Sequence, residues 1–228
     1  MKVLELKNLV KIYNDSEIKV KAVDHIDLSF EQGEFAAIVG PSGSGKTTLL
    51  NMIGGLDNPT EGDIVVNNEN IKEFSSSKLI DFRLRNIGFV FQAYNLIPVL
   101  TAKENVEFIM ELQGKKKAER SERAMELLTA VGIPDRANSR PSKLSGGQQQ
   151  RVAVARALAS KPKFILADEP TANLDSKSTE TLLDIMEKLN KEENITFIFS
   201  THDQRVVNKA HRVITVEDGR VVSDERRK

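Results

Sequence analysis

Apolar and polar residues alternate with a period of two along three early stretches, residues 3–9, 18–30 and 63–67. Half-exposed antiparallel strands turn one face to a core and one to water, and this is their pattern. Between 75 and 140 the period lengthens, and residues 103–112 and 118–131 carry apolar side chains three and four apart, which predicts helices. A short apolar strand at 34–39 precedes a helix continuing through 48–53. After Gly147 the pattern predicts a helix, an apolar strand at 164–167, a helix over 176–191, an apolar strand at 196–200, a short helix, and a hairpin turning at Asp218-Gly219. Short apolar strands alternating with helices indicate a parallel sheet covered on both faces. The expected fold class is therefore α/β.

Composition narrows the field. At 228 residues the chain fits one large domain, or one with a modest insertion. Its 33 basic residues balance 33 acidic ones, so a broad nucleic-acid surface is not implied, although a local patch is left open. The basic cluster from Lys115 to Arg123 is interleaved with Glu119 and Glu122 and is expected to be a solvated helix face. With no cysteine there is no disulfide framework. The N-terminus lacks the apolar segment of a signal peptide. The longest uncharged run, 87–102, contains Gln92, Asn95 and Pro98 and does not read as a membrane span. The chain alone is expected to be soluble.

Chemistry enters at two glycine-rich turns, each opening a helix. Gly40-Pro41-Ser42-Gly43-Ser44-Gly45-Lys46-Thr47 fits the phosphate-loop pattern G-x-x-x-x-G-K-[ST] without a mismatch, and Thr48 continues into the helix. Glycines let the backbone approach phosphate oxygens, and successive N–H groups form an anion nest. Lys46 supplies a point charge for the β- and γ-phosphates, and the Thr47 hydroxyl suits Mg²⁺. A chance glycine turn is the competing reading; the complete match between a strand and a helix argues against it. The second turn, Leu144-Ser145-Gly146-Gly147-Gln148, opens the helix through Arg156 and offers another anion-binding N-terminus.

In parallel sheets the chemistry collects beyond the carboxyl ends of the strands. One strand ends in the phosphate loop, one in Asp168-Glu169-Pro170, and one in Thr201-His202-Asp203. Asp168 suits a Mg²⁺ shell. Glu169 is placed to accept a proton from, or orient, an attacking water, and His202 to hold that water and the γ-phosphate. Two solvated acids at a plain strand exit, and a structural histidine, are the alternatives for these positions.

The phosphate loop, Leu144-Ser145-Gly146-Gly147-Gln148 and Ile165-Leu-Ala-Asp168-Glu169-Pro170-Thr171 together resemble the ATP-binding-cassette ATPases, over essentially the whole chain. The resemblance implies one cassette domain over 1–228. Its P-loop NTPase core has a mixed/parallel sheet and an N-terminal antiparallel β subdomain, formed by about 1–92 and 160–228, and an inserted α-helical subdomain at about 93–159 carries the second turn. It implies hydrolysis of ATP to ADP and phosphate with Mg²⁺. Tyr13 then matches the aromatic that stacks on adenine, Gln92 the glutamine that senses Mg²⁺ and the membrane partner, and Asp175 the D-loop aspartate. Ala172 stands where many relatives have Ser or Gly.

In that family two subunits close head to tail, so Leu144, Ser145, Gly146, Gly147, Gln148 and Asp175 would act in trans on the ATP of a homodimer or paralogue dimer. The phrases from Gly88 through Gln92, Asn95 and Thr101 to Val106 resemble the cassettes of macrolide-exporter and lipoprotein-releasing transporters. An integral-membrane permease is then the implied partner, docking around residues 94–100. A periplasmic or extracellular accessory protein, no nucleic acid, and a cytoplasmic location on the inner face of the cell membrane are implied with it. Two other readings stand beside this one: a repair or ribosome-associated cassette, and a P-loop kinase using Glu169 as base.

Overall fold

The computed structural model describes residues 1–14 and 19–227. The chain opens with two long strands, β1 (Lys2–Tyr13) and β2 (Val20–Glu31), paired antiparallel. The predicted onset of the second strand, residue 18, lies outside the described residues. β1 runs four residues past the alternation that predicted it, because a register shift interrupts the pairing between Leu6 and Leu9. There Asn8 adopts φ 48° and His25, on the opposite strand, φ 53°, and two exposed residues in a row (Lys7, Asn8) break the period of two. β4 (Glu61–Val66) and the two-residue β5 (Glu69–Asn70) complete this sheet in the order β2-β1-β4-β5.

The second sheet has six strands. β3 (Phe35–Val39), β6 (Ile87–Phe91), β7 (Phe164–Asp168), β8 (Thr196–Ser200) and β9 (Arg212–Glu217) run parallel, and β10 (Arg220–Arg226) closes one edge antiparallel through the hairpin at Asp218-Gly219. The order is β10-β9-β3-β8-β7-β6. β6 lies within the stretch whose period predicted only helices. Its five residues are an unbroken apolar or glycine run between helical segments, and periodicity alone cannot separate a buried strand of that length from a helix.

Each central strand is buried on both faces, which explains its continuous hydrophobicity. Phe35, Ala37, Ile165, Ala167, Phe197 and Phe199 face one way, and Ala36, Ile38, Phe164, Leu166 and Ile198 the other. The rings of Phe35 and Phe199 meet with centroids 4.7 Å apart. That face is covered by α5 (Gly146–Ala159) through Val152, Val154 and Leu158, and by α6 (Ser176–Glu193) through Leu182, Leu183 and Met186. On the opposite face α1 (Lys46–Ile53) is enclosed between the two sheets, with Leu49, Leu50, Met52 and Ile53 all buried among Leu6, Ile26, Ile38 and Ile198. A fully buried side chain of this size contributes about 1.5–3 kcal/mol, so α1 is firmly held.

α2 (Ser76–Asn86) precedes β6, and α3 (Ala102–Leu112) and α4 (Lys117–Ala130) pack with α5. The cluster expected to be a solvated face is so at Lys115, Lys116 and Lys117. Arg120 and Arg123 are instead covered to 15% and 18% exposure, and Arg123 pairs with Glu193 at the end of α6. α7 (Gln204–Lys209) links β8 to β9. Parallel register brings Val39, Phe91, Asp168 and Ser200 to one edge of the sheet.

Candidate functional site

The phosphate-binding loop leaves β3 at Val39 and ends at Gly45, whose left-handed φ of 99° starts α1 without a side-chain cap. The first N–H groups of α1 therefore have no partner from their own helix. Two glycines are demanded by close packing: a Cβ on Gly40 would sit 2.0 Å from the Val216 carbonyl, and one on Gly45 would sit 2.1 Å from that of Ala22. Gly43, at φ 81°, has open space around it. The Lys46 ammonium donates to the carbonyls of Gly40 and Pro41, both at 2.8 Å, which holds the charge at the mouth of the loop.

Across from the loop, the Thr47 hydroxyl lies 3.3 Å from both carboxylate oxygens of Asp168 at the end of β7. Glu169 follows in a left-handed conformation, φ 44°, with its N–H bonded to the Ser200 carbonyl at 2.8 Å. A non-glycine residue there is unfavourable and must be held by its surroundings. Thr201 donates its hydroxyl to Glu169 Oε2 at 3.1 Å, and His202 Nδ1 lies 2.7 Å from Oε1. Residues 40–43 and 45–48, Glu169 and His202 line one cleft of about 760 Å³, whose other walls are residues 20–22 and the Asp218-Gly219 turn; Ser44 and Asp168 are not among its lining residues.

The pairing of a hydroxyl with a single carboxylate suits Mg²⁺, a hard cation that takes oxygen ligands and completes its shell with phosphates and water.

Other expected site residues lie apart. Gln92 is the first residue beyond β6 and is exposed; its carbonyl accepts from Asn173 Nδ2 at 3.1 Å, and it is not among the described residues lining the cleft. Tyr13 is likewise not in that lining. Its hydroxyl donates to Asp57 at 2.7 Å, and Lys11 Nζ stands 4.9 Å from its ring centroid. Val20, its partner across the strand pair, does line the cleft.

Ser145 caps α5 in a capping box: it accepts from the Gln148 N–H at 3.3 Å, and the Gln148 side chain accepts from the Ser145 N–H at 2.9 Å. Leu144 is buried beneath this turn. Close packing bears on the second glycine of the turn, since a Cβ on Gly147 would meet Ser178 Oγ at 2.8 Å and Cβ at 2.9 Å; one on Gly146 would press only on the tip of the Tyr94 side chain, its hydroxyl at 2.8 Å. Asp175 caps α6, accepting from both the N–H and the hydroxyl of Ser178, and the Ser178 N–H holds its carboxyl below the usual range. None of residues 144–148 lines the cleft.

Sequence reasoning gave Asp203 no role. It caps α7 and accepts from Arg205 and, at 2.8 Å, from the Thr171 hydroxyl. The Arg205 side chain is the main reason its pKa is held at about 2. The readable signal was an aspartate two residues before an arginine at a helix start.

The sequence profile of the ABC transporter family matches residues 23–172. An uncharacterised ABC transporter ATP-binding protein of Thermotoga maritima is 48% identical over 99% of this chain and 96% of its own length. The macrolide export ATP-binding/permease protein MacB of Hyphomonas neptunium is 46% identical over 97% of this chain, which spans 34% of that protein. Among solved structures, the cassette MJ0796 of Methanocaldococcus jannaschii, in a dimeric post-hydrolysis state bound to ADP and Pi, superposes with a TM-score of 0.91 at 44% identity over 99% of both chains. With two sheets enclosing α1 and a phosphate loop facing Asp168 and Glu169, the chain belongs to the ABC transporter family as one of its ATP-hydrolysing cassettes.

Proposed function

We propose that this cassette binds Mg-ATP between two copies closed head to tail and drives a partner permease in export or extracytoplasmic force transmission. The observation that carries the reading is the separation of two anion-binding helix starts within one chain. α1 opens into the cleft, whereas the Ser145-capped start of α5 contributes nothing to it. A second copy supplies the missing half: Ser145, Gly146 and Gly147, in the turn between Leu144 and Gln148, contact the γ-phosphate in trans, with Asp175 beside them. The dimeric state of MJ0796 with ADP and Pi supports this pairing, and the joining of cassette and permease in MacB supports the membrane partner. Among the described residues no helix is long and apolar enough to cross a membrane.

Within each half, the loop N–H groups and Lys46 bind the phosphates. Thr47 and Asp168, joined by Gln92, would hold Mg²⁺, which would neutralise charge on the phosphate oxygens. Glu169 takes a proton from the attacking water, and His202 orients that water. Tyr13 stacks on adenine, reaching it from the end of β1. Residues of about 93–159 form the helical subdomain that carries the signature turn and receives the permease near 94–100, at the inner face of the membrane.

The test is affinity capture of tagged Glu169→Gln with ATP and Mg²⁺ from solubilised native membranes, followed by mass spectrometry. A multi-span permease with a large extracytoplasmic domain is expected. A solute-binding protein beside the permease would move the reading to import, and ribosomes or repair proteins would end the transport reading.

A further inference from the structure

The turn after β6 carries two successive non-glycine residues in the left-handed region, Tyr94 at φ 57° and Asn95 at φ 51°. Such a conformation persists only where neighbours hold it. The hold comes from Arg156 of α5, whose Nη2 donates to the Tyr94 carbonyl at 2.8 Å and whose Nη1 donates to the Asn95 carbonyl. The guanidinium is half-buried, burial pushes its pKa below the ordinary arginine value, and no acidic side chain among the described residues pairs with it. Its charge is thus met by the carbonyls of a strained turn. Here a planar fork commits two separate nitrogens, Nη2 and Nη1, to the two carbonyls in fixed directions; an ammonium can reach two adjacent carbonyls, as that of Lys46 does, but from one freely rotating nitrogen without the fork's fixed directions.

The same turn is tied to other parts of the machinery. Gln150, wholly buried on α5, donates to the carbonyls of Phe91 at 3.3 Å and Pro170 at 2.8 Å, joining the ends of β6 and β7 to that helix. The Tyr94 hydroxyl rests against Gly146 of the signature turn. On the outer side Asn95 and Arg156 help wall an apolar groove of about 440 Å³. Gln92 lies two residues from Tyr94 on the other side.

We propose that Arg156 is a positioning residue for hydrolysis: by clamping the 94–95 turn onto α5 it makes the groove, Gln92 and the turn at Ser145–Gln148 move as one body. This rests on the reading of ATP hydrolysis across a dimer given above. Arg156 is not among the residues lining the phosphate-loop cleft; it acts through the turn. Loss of the clamp leaves phosphate binding intact and removes the alignment of Gln92 with the signature turn.

Arg156→Lys keeps the charge and most of the stem while losing the rigid two-nitrogen fork. The expected result is a kcat for ATP lower by about tenfold with KM within about twofold. In the nucleotide-free protein, amide exchange at 92–96, where Tyr94 and Asn95 N–H are internally bonded, should accelerate by at least about tenfold while α4 and β3 are unchanged. Arg123→Lys on α4 serves as the packing control and should shift Tm without moving either readout. If kcat or exchange at 92–96 stays within about twofold of wild type in Arg156→Lys, the proposal is wrong. It is equally wrong if exchange accelerates throughout 93–159, because that is a loosened subdomain. Should Arg156→Lys not fold, the wild-type protein decides: turn amides that exchange while α5 stays protected overturn the clamp, and a common opening supports it. A wild-type chain that fails to hydrolyse ATP at all removes the functional reading and leaves the exchange test of the clamp intact.

Discussion

His202 Nδ1 and Glu169 Oε1 lie 2.7 Å apart, and the second Glu169 oxygen accepts from the Thr201 hydroxyl at 3.1 Å. The exit of β8 thus engages both oxygens of the carboxylate at the exit of β7. Such a carboxylate is oriented before nucleotide arrives, and with one bond on each oxygen it keeps a free lone pair on each for a water.

Glu169→Gln retains the shape and hydrogen-bonding reach of the side chain but cannot take the proton. Hydrolysis should fall by at least about 100-fold, the usual worth of a positioned general base. ATP binding should persist, and a long-lived ATP-bound dimer should accumulate. Turnover assays and size-exclusion chromatography with light scattering check both. A variant with half the wild-type rate would remove Glu169 from the chemistry.

The Asp203 carboxyl gives a pH-dependent stability. Hydrogen bonds from Arg205 and Thr171 depress its pKa from 3.8 to about 2, Arg205 contributing most. A depressed folded-state pKa adds stability that is fully present above about pH 4 and is lost as pH falls toward 2. The shift corresponds to about 2 kcal/mol. Asp203→Asn should therefore lower Tm by about 4–8 °C at pH 7. The gap should stay constant down to about pH 5 and shrink by about half near pH 3. Scanning calorimetry across this range checks it, and a gap that does not change with pH would refute the linkage.

Tyr13 separates two contributions to nucleotide affinity. Its hydroxyl is committed to Asp57 at 2.7 Å, so Tyr13→Phe removes that bond and keeps the ring. If the ring stacks on adenine, Tyr13→Ala should weaken ATP binding by about 1–3 kcal/mol, and Tyr13→Phe by much less. Titration calorimetry distinguishes them. Equal losses in both variants would assign the effect to the Asp57 tether, and no loss in either would move adenine to the Val20 side of the strand pair.

These residues also show what was legible in advance. The phosphate loop, Asp168-Glu169 and the Ser145-capped turn are contiguous segments whose geometry is set by their own glycines, caps and strand exits. β6 was hidden because an apolar run of five has no period to read. The second half of β1 was hidden by the paired left-handed residues Asn8 and His25. The far wall of the cleft depends on contacts between distant segments, with Asp24 N–H bonded to the Gly219 carbonyl at 2.8 Å and Gly219 N–H to that of Ser44 at 3.0 Å. No local pattern encodes such pairings, and the bond from Thr171 to Asp203 was concealed for the same reason, whereas the Asp203–Arg205 pair, two residues apart, was readable.

Gly147 offers a test of how the signature turn is spaced from α6. Its φ is not in the left-handed region, so alanine is allowed by the backbone, and helix propensity favours alanine by about 1 kcal/mol. The obstacle is Ser178, whose Oγ and Cβ would stand 2.8 and 2.9 Å from the new methyl. Ser178 cannot swing aside freely, because its N–H and hydroxyl are both bonded to Asp175, at 2.9 and 2.8 Å. Gly147→Ala must therefore displace the start of α5 from the start of α6, at a cost of about 1–3 kcal/mol that offsets the propensity gain. The expected result is a nearly unchanged Tm with ATP-dependent dimerisation weakened by about tenfold or more, since that displacement falls on the turn proposed to make the trans phosphate contacts. Adding Ser178→Gly to Gly147→Ala removes the opposing atoms and should restore most of the dimerisation, a coupling that a double-mutant cycle measures. If the double variant stays as defective as the single one, the methyl acts on the phosphate contact itself, and the α5–α6 spacing is not what Gly147 protects.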